Sequence, residues 1–256
     1  MSFLTINEIH HTYLTKNSVT TALSDVTLKI EEGEFVSFLG PSGCGKTTLL
    51  SIIAGLLKPT QGTVLLENKP VSTNCHEIGY MLQQDYLFPW KTIEENVLLG
   101  LKLSNQLNEK SKTKTLQLLN QIGLIGVEKQ LPKQLSGGMR QRAALVRTLA
   151  TEPKLLMLDE PFSALDYQTK LKLEVLLAGT LRELKKTAIL VTHDIGEAIA
   201  MSDRVFLFSA RPGRLYQTFQ IPKELRTASP LEVRNHTLYP NLFETIWKEL
   251  ESLESS

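Results

Sequence analysis

Apolar residues along this chain gather in short unbroken runs that stop at glycine or polar groups. Such runs occur at residues 35–39, 78–82, 155–158 and 188–191, with a further one from Arg204 to Ser209. Runs of four or five apolar residues bounded by turn formers read as buried strands. Residues 3–7 and 22–30 are also strand-like, with Glu32-Gly33 as a turn behind them. Pro59-Thr60-Gln61-Gly62 predicts a turn, residues 63–66 resume a strand, and Asn68-Lys69-Pro70 breaks it. Elsewhere the spacing lengthens to that of a helix. Residues 48–54 suit one, and residues 92–151 read as mainly helical, opening on Thr92-Ile93-Glu94-Glu95, a capping box. Leu116, Leu119 and Ile122 recur at helical spacing, with Leu118 beside them, and the basic stretch 110–114 there reads as a solvated face. A further helix is expected from after Asp166 to Leu184. In the tail, Ser229-Pro230-Leu231-Glu232 combines a cap, a proline at the first helical position and a return glutamate. Asn241-Leu242-Phe243-Glu244 repeats the device before the amphipathic set Ile246, Trp247, Leu250 and Leu253. There is no internal repeat and no low-complexity segment.

Polar chemistry collects where the apolar runs end. After residue 39 comes Gly40-Pro41-Ser42-Gly43-Cys44-Gly45-Lys46-Thr47, followed by Thr48 and a helical pattern. A strand, a glycine-rich turn and a helix start make a phosphate-binding P-loop, whose backbone N–H groups point inward beside the helix N-terminus. Lys46 is expected to reach terminal phosphates, and the Thr47 hydroxyl to ligate Mg2+. Gln83 ends the run at 78–82, a position facing the ligand crevice of an α/β protein. Asp159 and Glu160 end the run at 155–158. The first is placed to hold Mg2+, directly or through water, and the second to orient and deprotonate an attacking water. His193 stands at the end of the run at 188–191, where the other ligand-facing groups gather. A second glycine-rich helix start, Ser136-Gly137-Gly138, leaves N–H groups open to an anion. Arg140 and Arg142 either add charge there or are ordinary surface arginines. Two phosphate-seeking ends are hard to satisfy with one nucleotide in one chain. Tyr13, on a polar connection between the first two strand-like segments, either stacks on an adenine ring or packs on a sheet edge. Leu87-Phe88-Pro89-Trp90 forms a partner surface if exposed and a satellite core if buried; the partner reading is preferred.

Bulk properties narrow the classes. The chain has 256 residues, enough for one domain or two small lobes. Its formal net charge is +1, so a global nucleic-acid field is not expected. Residues 1–5 lack a signal-peptide layout, and no apolar segment approaches the roughly 20 residues of a spanning helix. A soluble, cytoplasmic chain is expected. Cys44 and Cys75 do not have metal-ligand spacing. Cys44 is read as a small filler residue in preference to a reactive thiol.

Taken together, these residues resemble the ATP-binding subunit of ABC transporters, over about the whole chain and in motif order. Residues 40–47 are similar to the Walker A motif and Gln83 to the Q-loop. Ser136 to Arg142 resembles the family signature, 155–160 Walker B, Ser163-Ala164-Leu165-Asp166 the D-loop, and His193 the switch histidine. Leu87 to Trp90 and the tail around Ile246-Trp247 resemble the nitrate, sulfonate and taurine importer group, which includes importers of thiamine-pyrimidine precursors. The resemblance implies an α/β fold: a RecA-like P-loop NTPase core with an antiparallel β subdomain, a helical signature subdomain and a short helical tail. The implied nucleotide-binding domain spans 1–225, with core and β subdomain at 1–87 and 152–225 and the helical part at about 88–151; the tail is 226–256. It implies ATP and Mg2+ as cofactors. Tyr13 would then stack on adenine. Residues 40–48, Gly137, Gly138 and Asp166 would line the nucleotide, and Lys46 and the opposite chain's Ser136 would hold the γ-phosphate. Thr47, Gln83 and Asp159 would serve Mg2+, Glu160 would activate water and His193 would sense the γ-phosphate. Two chains would pair head to tail around two ATP molecules, which accounts for two phosphate-seeking ends per chain. The segment between Gln83 and Trp90 would touch a membrane permease, and a solute-binding protein would be an indirect partner. The location implied is peripheral, on the cytoplasmic face of the cell membrane, with no nucleic-acid partner. A non-transport ABC ATPase acting in DNA repair or translation is the alternative. Repair-type chains carry a long coiled coil, and no sustained heptads occur here.

Overall fold

In the computed structural model, which describes residues 2–15, 18–73, 77–163 and 165–254, the apolar runs lie side by side. Strands β3 (Phe35–Leu39), β6 (Ile78–Met81), β7 (Leu155–Asp159), β8 (Thr187–Thr192) and β9 (Arg204–Phe208) form a parallel sheet in the order β9-β3-β8-β7-β6. All of β3, β7 and β8 is buried, which is why they read as unbroken apolar runs. Strand β10 (Leu215–Gln220) closes the sheet antiparallel to β9. The run pattern does not predict that edge strand, which lies beyond residues 204–209. Only Phe219 of β10 is buried, and an edge strand half in solvent carries a weaker apolar signal.

A second sheet, in the order β2-β1-β4-β5, is antiparallel throughout. It comprises β1 (Leu4–Leu14), β2 (Val19–Ile30), β4 (Gln61–Leu66) and β5 (Lys69–Pro70). Gln61 and Gly62 thus belong to a strand and not to a turn. Lys69 and Pro70 return against Leu66 and Leu65 as a hairpin, with Glu67 and Asn68 both at positive φ, as a tight hairpin turn requires. Tyr13 lies within β1, opposite Thr20, and not on a connection. Its strand extends seven residues past the predicted stretch because backbone pairing tolerates a run as polar as His10-His11-Thr12.

The period-two alternation of the parallel sheet divides two cores. Val36, Phe38, Met157, Val191 and Phe206 face the antiparallel sheet and α1 (Lys46–Ile53). Phe38 meets Phe206 and Phe208 edge to face. Leu39, Leu156, Leu158, Leu190 and Leu207 face a layer of helices. That layer comprises α2 (Ile93–Val97), α3 (Leu99–Leu103), α4 (Glu109–Gln121), α5 (Gly137–Leu149), α6 (Tyr167–Glu183) and α7 (Ile195–Met201). The tail adds α8 (Lys223–Thr227), α9 (Pro230–Asn235) and α10 (Tyr239–Glu254). Capping boxes form at Thr92 and Ser229, and Ser136 caps α5. Asn241 is no cap, because α10 has already begun at Tyr239. On α10, Ile246 and Leu250 are buried and Leu253 packs on the core, whereas Trp247 is half exposed and stacks on Phe243. Cys75 and Ala164 lie outside the described residues.

Candidate functional site

Parallel strands point their C-terminal ends at one edge, so the register of this sheet decides what meets there. Leu39 lies opposite Thr192, Val191 opposite Asp159, and Leu158 opposite Met81. The next residues on these strands are therefore neighbours: the loop from Gly40, His193, Glu160, and the segment carrying Gln83. Sequence-distant polar groups meet because four strand ends are level.

The loop between β3 and α1 is shaped by its glycines. Gly45 caps α1 in the left-handed region at φ 90° without a side-chain hydrogen bond, so the first-turn N–H groups of Lys46, Thr47 and Thr48 have no side-chain cap. A Cβ on Gly45 would lie 2.8 Å from Ala22 O, and one on Gly40 2.6 Å from Phe208 O. Lys46 is buried, and its Nζ donates to Gly40 O at 2.7 Å and Pro41 O at 3.1 Å. Cys44 is fully buried and its Sγ accepts a 3.4 Å contact from the same ammonium. That placement matches a space-filling residue. Tyr13 is partly exposed; its Oη is 3.2 Å from Thr48 Oγ1, and its ring meets buried His11 edge to face at 4.6 Å.

Thr47 Oγ1 donates to Asp159 Oδ1 at 3.4 Å, and Tyr80 Oη donates to Asp159 Oδ2 at 3.2 Å. Burial raises Asp159 above the usual carboxylate range, although both hydroxyl contacts pull the other way. Burial and the Asp159 charge together push the Tyr80 phenol well above its ordinary value. Glu160 turns out of β7 with φ 46°, a left-handed backbone that costs a non-glycine residue about 1–2 kcal/mol. Its carboxylate is held from two sides. His193 Nδ1 lies 3.3 Å from Oε1, and Gln83 Nε2 donates to Oε2 at 3.1 Å. Gln83 also reaches Ser163 Oγ at 3.4 Å.

Among the described residues there is no cluster of three or more His, Cys, Asp or Glu suited to a metal ion. One hydroxyl and one carboxylate at a helix start fit a different case. Mg2+ takes few protein oxygens and draws its remaining ligands from phosphate and water. The site residues fit that group.

The second glycine-rich helix start is separate. Ser136 and Gly137 are exposed, Ser136 Oγ accepts Met139 N–H at 3.3 Å, and Gly138 is buried with room only for hydrogen beside Thr169 Cγ2. Asp166 caps α6 through Thr169 N–H at 3.0 Å. Among the described residues, no hydrogen bond or ion pair joins residues 136–138 to residues 40–48. Arg140 and Arg142 do not extend this anion-seeking end. Arg140 pairs with Asp85 at 2.9 Å, and Arg142 donates to Ile122 O at 3.1 Å. Gln141 donates to Gln83 O at 3.0 Å, and Arg147 holds Tyr86 O and Asp85 O at 2.7 Å each. Helix α5 therefore grips the segment after Gln83. The next residues divide: Leu87 is buried, whereas Phe88 is partly exposed and Trp90 is 70 % exposed, with their rings edge to face at 5.4 Å. The apolar cluster is thus one core residue and a two-ring surface patch.

Sequence reasoning missed Tyr80, Gln141, Arg147 and Lys170. Lys170 Nζ lies 2.6 Å from both Asp194 Oδ2 and Glu197 Oε1, beneath the loop that carries His193. Its ammonium holds Asp194 below the usual range against the opposing effect of burial, whereas burial keeps Glu197 raised. Its only signal is a lysine one turn after a capping aspartate.

The family model described as ABC transporter matches residues 23–163. The "Uncharacterized ABC transporter ATP-binding protein YtlC" of Bacillus subtilis (strain 168) is 63% identical over 254 residues, covering 99% of this chain and 98% of its own. The "Taurine import ATP-binding protein TauB" of Yersinia pestis is 44% identical over 200 residues, 78% of each chain. Among solved structures, the dimeric ATP-binding cassette MJ0796, in a post-hydrolysis state bound to ADP and Pi, aligns with TM-score 0.76 at 34% identity. It covers 86% of this chain and 99% of that one.

Proposed function

The chain belongs to the ABC transporter family as one of its ATP-binding, ATP-hydrolysing subunits, and from that premise we propose that it energises import of a small solute. The solute class is that of nitrate, sulfonates, taurine or thiamine-pyrimidine precursors; the taurine importer named above is a relative. The observation that carries the reading is the Glu160 carboxylate, gripped by His193 and Gln83 at the strand edge beside the P-loop. Phosphoryl transfer asks a protein chiefly for positioning and charge neutralisation, and these groups divide that task. Glu160 orients a water in line with the γ-phosphate and accepts its proton. His193 keeps the carboxylate in place and contacts the γ-phosphate. Lys46 exchanges part of its carbonyl shell for phosphate oxygens, while residues 40–48 present N–H groups and Tyr13 stacks on the base. Thr47, Asp159 and Gln83 would hold Mg2+, which neutralises charge on the phosphates when bound.

The exposed Ser136-Gly137 end serves the nucleotide of a second copy. Two chains pair head to tail, each giving Ser136, Gly137, Gly138 and the Asp166 turn to its partner's ATP. Closure then gates hydrolysis, because neither half-site is sufficient. The Phe88-Trp90 patch at the end of the Gln83 segment docks on a permease, which places the chain peripherally on the cytoplasmic face. A solute-binding protein is an indirect partner and nucleic acid is none. We assign 1–225 to the nucleotide-binding domain and 226–256 to the tail. Against a repair ATPase, the longest helix among the described residues has 17 residues, too short for an inserted coiled coil. Among those residues no helix is long and apolar enough to cross a membrane. The test is Glu160→Gln, which should bind ATP as before and turn over about 10²-fold slower or worse. Hydrolysis at the unmodified rate would remove Glu160 from this role.

A further inference from the structure

Helix α7 starts directly after His193, with Asp194 as its N-cap accepting Glu197 N–H at 3.1 Å, and all seven of its residues are buried. It packs against β3 and β8 and, on another side, against α9 and α10 of the tail. That second contact is tight. A Cβ on Gly196 would lie 3.0 Å from Tyr239 Oη and 3.8 Å from Arg234 Nη2. Helix α6, capped by Asp166, carries Lys170 and Glu174 one turn apart on its inner face. Lys170 is bound to Asp194 and Glu197 at the start of α7. Glu174 is fully buried and lies 2.7 Å from Arg234 Nη2 on α9, while Arg234 Nη1 donates to Pro230 O at 3.0 Å. Neither Glu174 oxygen has a well-aligned hydrogen bond, so Arg234 supplies the charge on which the ionised carboxylate depends. Arg182, further along α6, also donates to Ala228 O of the tail at 2.9 Å. Two successive rungs on one helix thus tie the His193 loop to α6 and α6 to the tail.

We propose that the C-terminal arm is a positioning element of the ATPase site, with Arg234 on buried Glu174 as its anchor. It holds α6 and α7 as one body, so that His193 stays on Glu160 and the Asp166 turn keeps its place. The inference rests on the assignment of Glu160 and His193 to ATP hydrolysis. Without the anchor, α6 and the arm shift independently, and α7 loses one of the two walls that set the direction of His193. A defect of this kind slows the chemical step and leaves ATP binding at the P-loop alone, because among the described residues no hydrogen bond or ion pair joins that loop to the arm.

The test uses the full chain at pH 8 and compares steady-state ATP turnover of Arg234→Gln, Arg234→Lys and the apolar pair Glu174→Leu/Arg234→Leu. The pair leaves no uncompensated buried charge and is expected to fold even where Arg234→Gln does not. Arg234→Gln and the apolar pair should lose about tenfold in kcat, with KM for ATP within about twofold. Arg234→Lys, which keeps the charge, should recover most of that loss. Wild-type kcat in either folded variant, or parallel loss of kcat and KM, overturns the inference. Glu160→Gln runs alongside. If it matches wild type, the ATPase assignment itself fails; if it is inactive while the Arg234 variants keep the wild-type rate, only the arm's role falls.

Discussion

Gly213 meets the P-loop more closely than any side chain could. Its N–H donates to Ala22 O at 2.9 Å, its carbonyl accepts Ser24 N–H at 3.0 Å, and the pairing presses it against Cys44. A Cβ built at Gly213 falls 1.9 Å from Cys44 O and 3.0 Å from Cys44 C. Ordinary contact begins at 3.4 Å, so Gly213→Ala requires 1.5 Å of relative movement. The opposing atom is backbone, so no side-chain rotation relieves the clash. Either the Gly213 turn leaves β2 and breaks two hydrogen bonds, or Cys44 moves and carries the loop with it. Overpacking of this kind costs about 1–3 kcal/mol. A displacement above 1 Å at a binding group is worth about 10²-fold. We therefore expect ATP affinity to fall between about tenfold and 10²-fold, equivalent to about 1.4–2.7 kcal/mol. Equilibrium titration with a fluorescent ATP analogue measures it, and thermal unfolding separates local from global loss. The control is Gly179→Ala at an exposed position of α6, where a Cβ meets nothing within 4 Å. That change should leave affinity alone and stabilise the helix by about 0.5–1 kcal/mol. ATP binding by Gly213→Ala within about twofold of wild type at unchanged Tm would show that the Gly213 turn holds a methyl group without displacing Cys44.

Two further outcomes are expected. Lys46→Ala and Ser136→Ala, each inactive alone, should regain one working site when mixed, giving about half of wild-type turnover in purified heterodimers if sites act independently and about a quarter in an unseparated equal mixture; no recovery in a verified heterodimer would exclude sites shared between chains. Burial raises Glu174 to about 7 against the pull of Arg234, so between the ordinary carboxyl value and pH 7 the native chain holds a proton that the unfolded chain has lost. Stability from this group must then fall as pH rises through that window, by up to about 3 kcal/mol, and a Glu174→Gln chain with the same pH dependence as wild type would contradict it.

The strands of the parallel sheet were legible because burial on both faces leaves nothing but apolar residues, as in Leu155-Leu156-Met157-Leu158. That Gln83, Asp159, Glu160 and His193 meet at one sheet edge was legible for the complementary reason: each lies within two residues of the end of such a run. Where half the residues face solvent the pattern fades. Leu215-Tyr216-Gln217-Thr218-Phe219-Gln220 buries one side chain, and β1 continues through polar His10 to Tyr13. Asn241 imitates a cap although the helix has already started, since Pro240 is tolerated in a first turn. The partners of the site were not legible at all. Tyr80 meets Asp159 across the sheet, Gln141 meets Gln83 from another helix, and Arg234 meets Glu174 from the tail. The first contact depends on which strands pair and the other two on how helices pack, and no local spacing encodes either.

The same partners bear on how hydrolysis is kept conditional. Lys46 is held by Gly40 O and Pro41 O, Asp159 by Thr47 and Tyr80, and Glu160 by Gln83 and His193. Each of these three side chains already has a partner within its own chain. Binding ATP therefore exchanges contacts at about 0.5–1.5 kcal/mol each and does not add them outright. A site built by exchange has little net drive toward the reactive arrangement from one nucleotide and one chain. On the proposed head-to-tail pairing the surplus comes from contacts made only on closure, and the exposed Ser136-Gly137 helix start, which among the described residues makes no hydrogen bond to residues 40–48, is placed to make them. In that proposal the internal bonds set the threshold, and the second copy's Ser136 end supplies what crosses it.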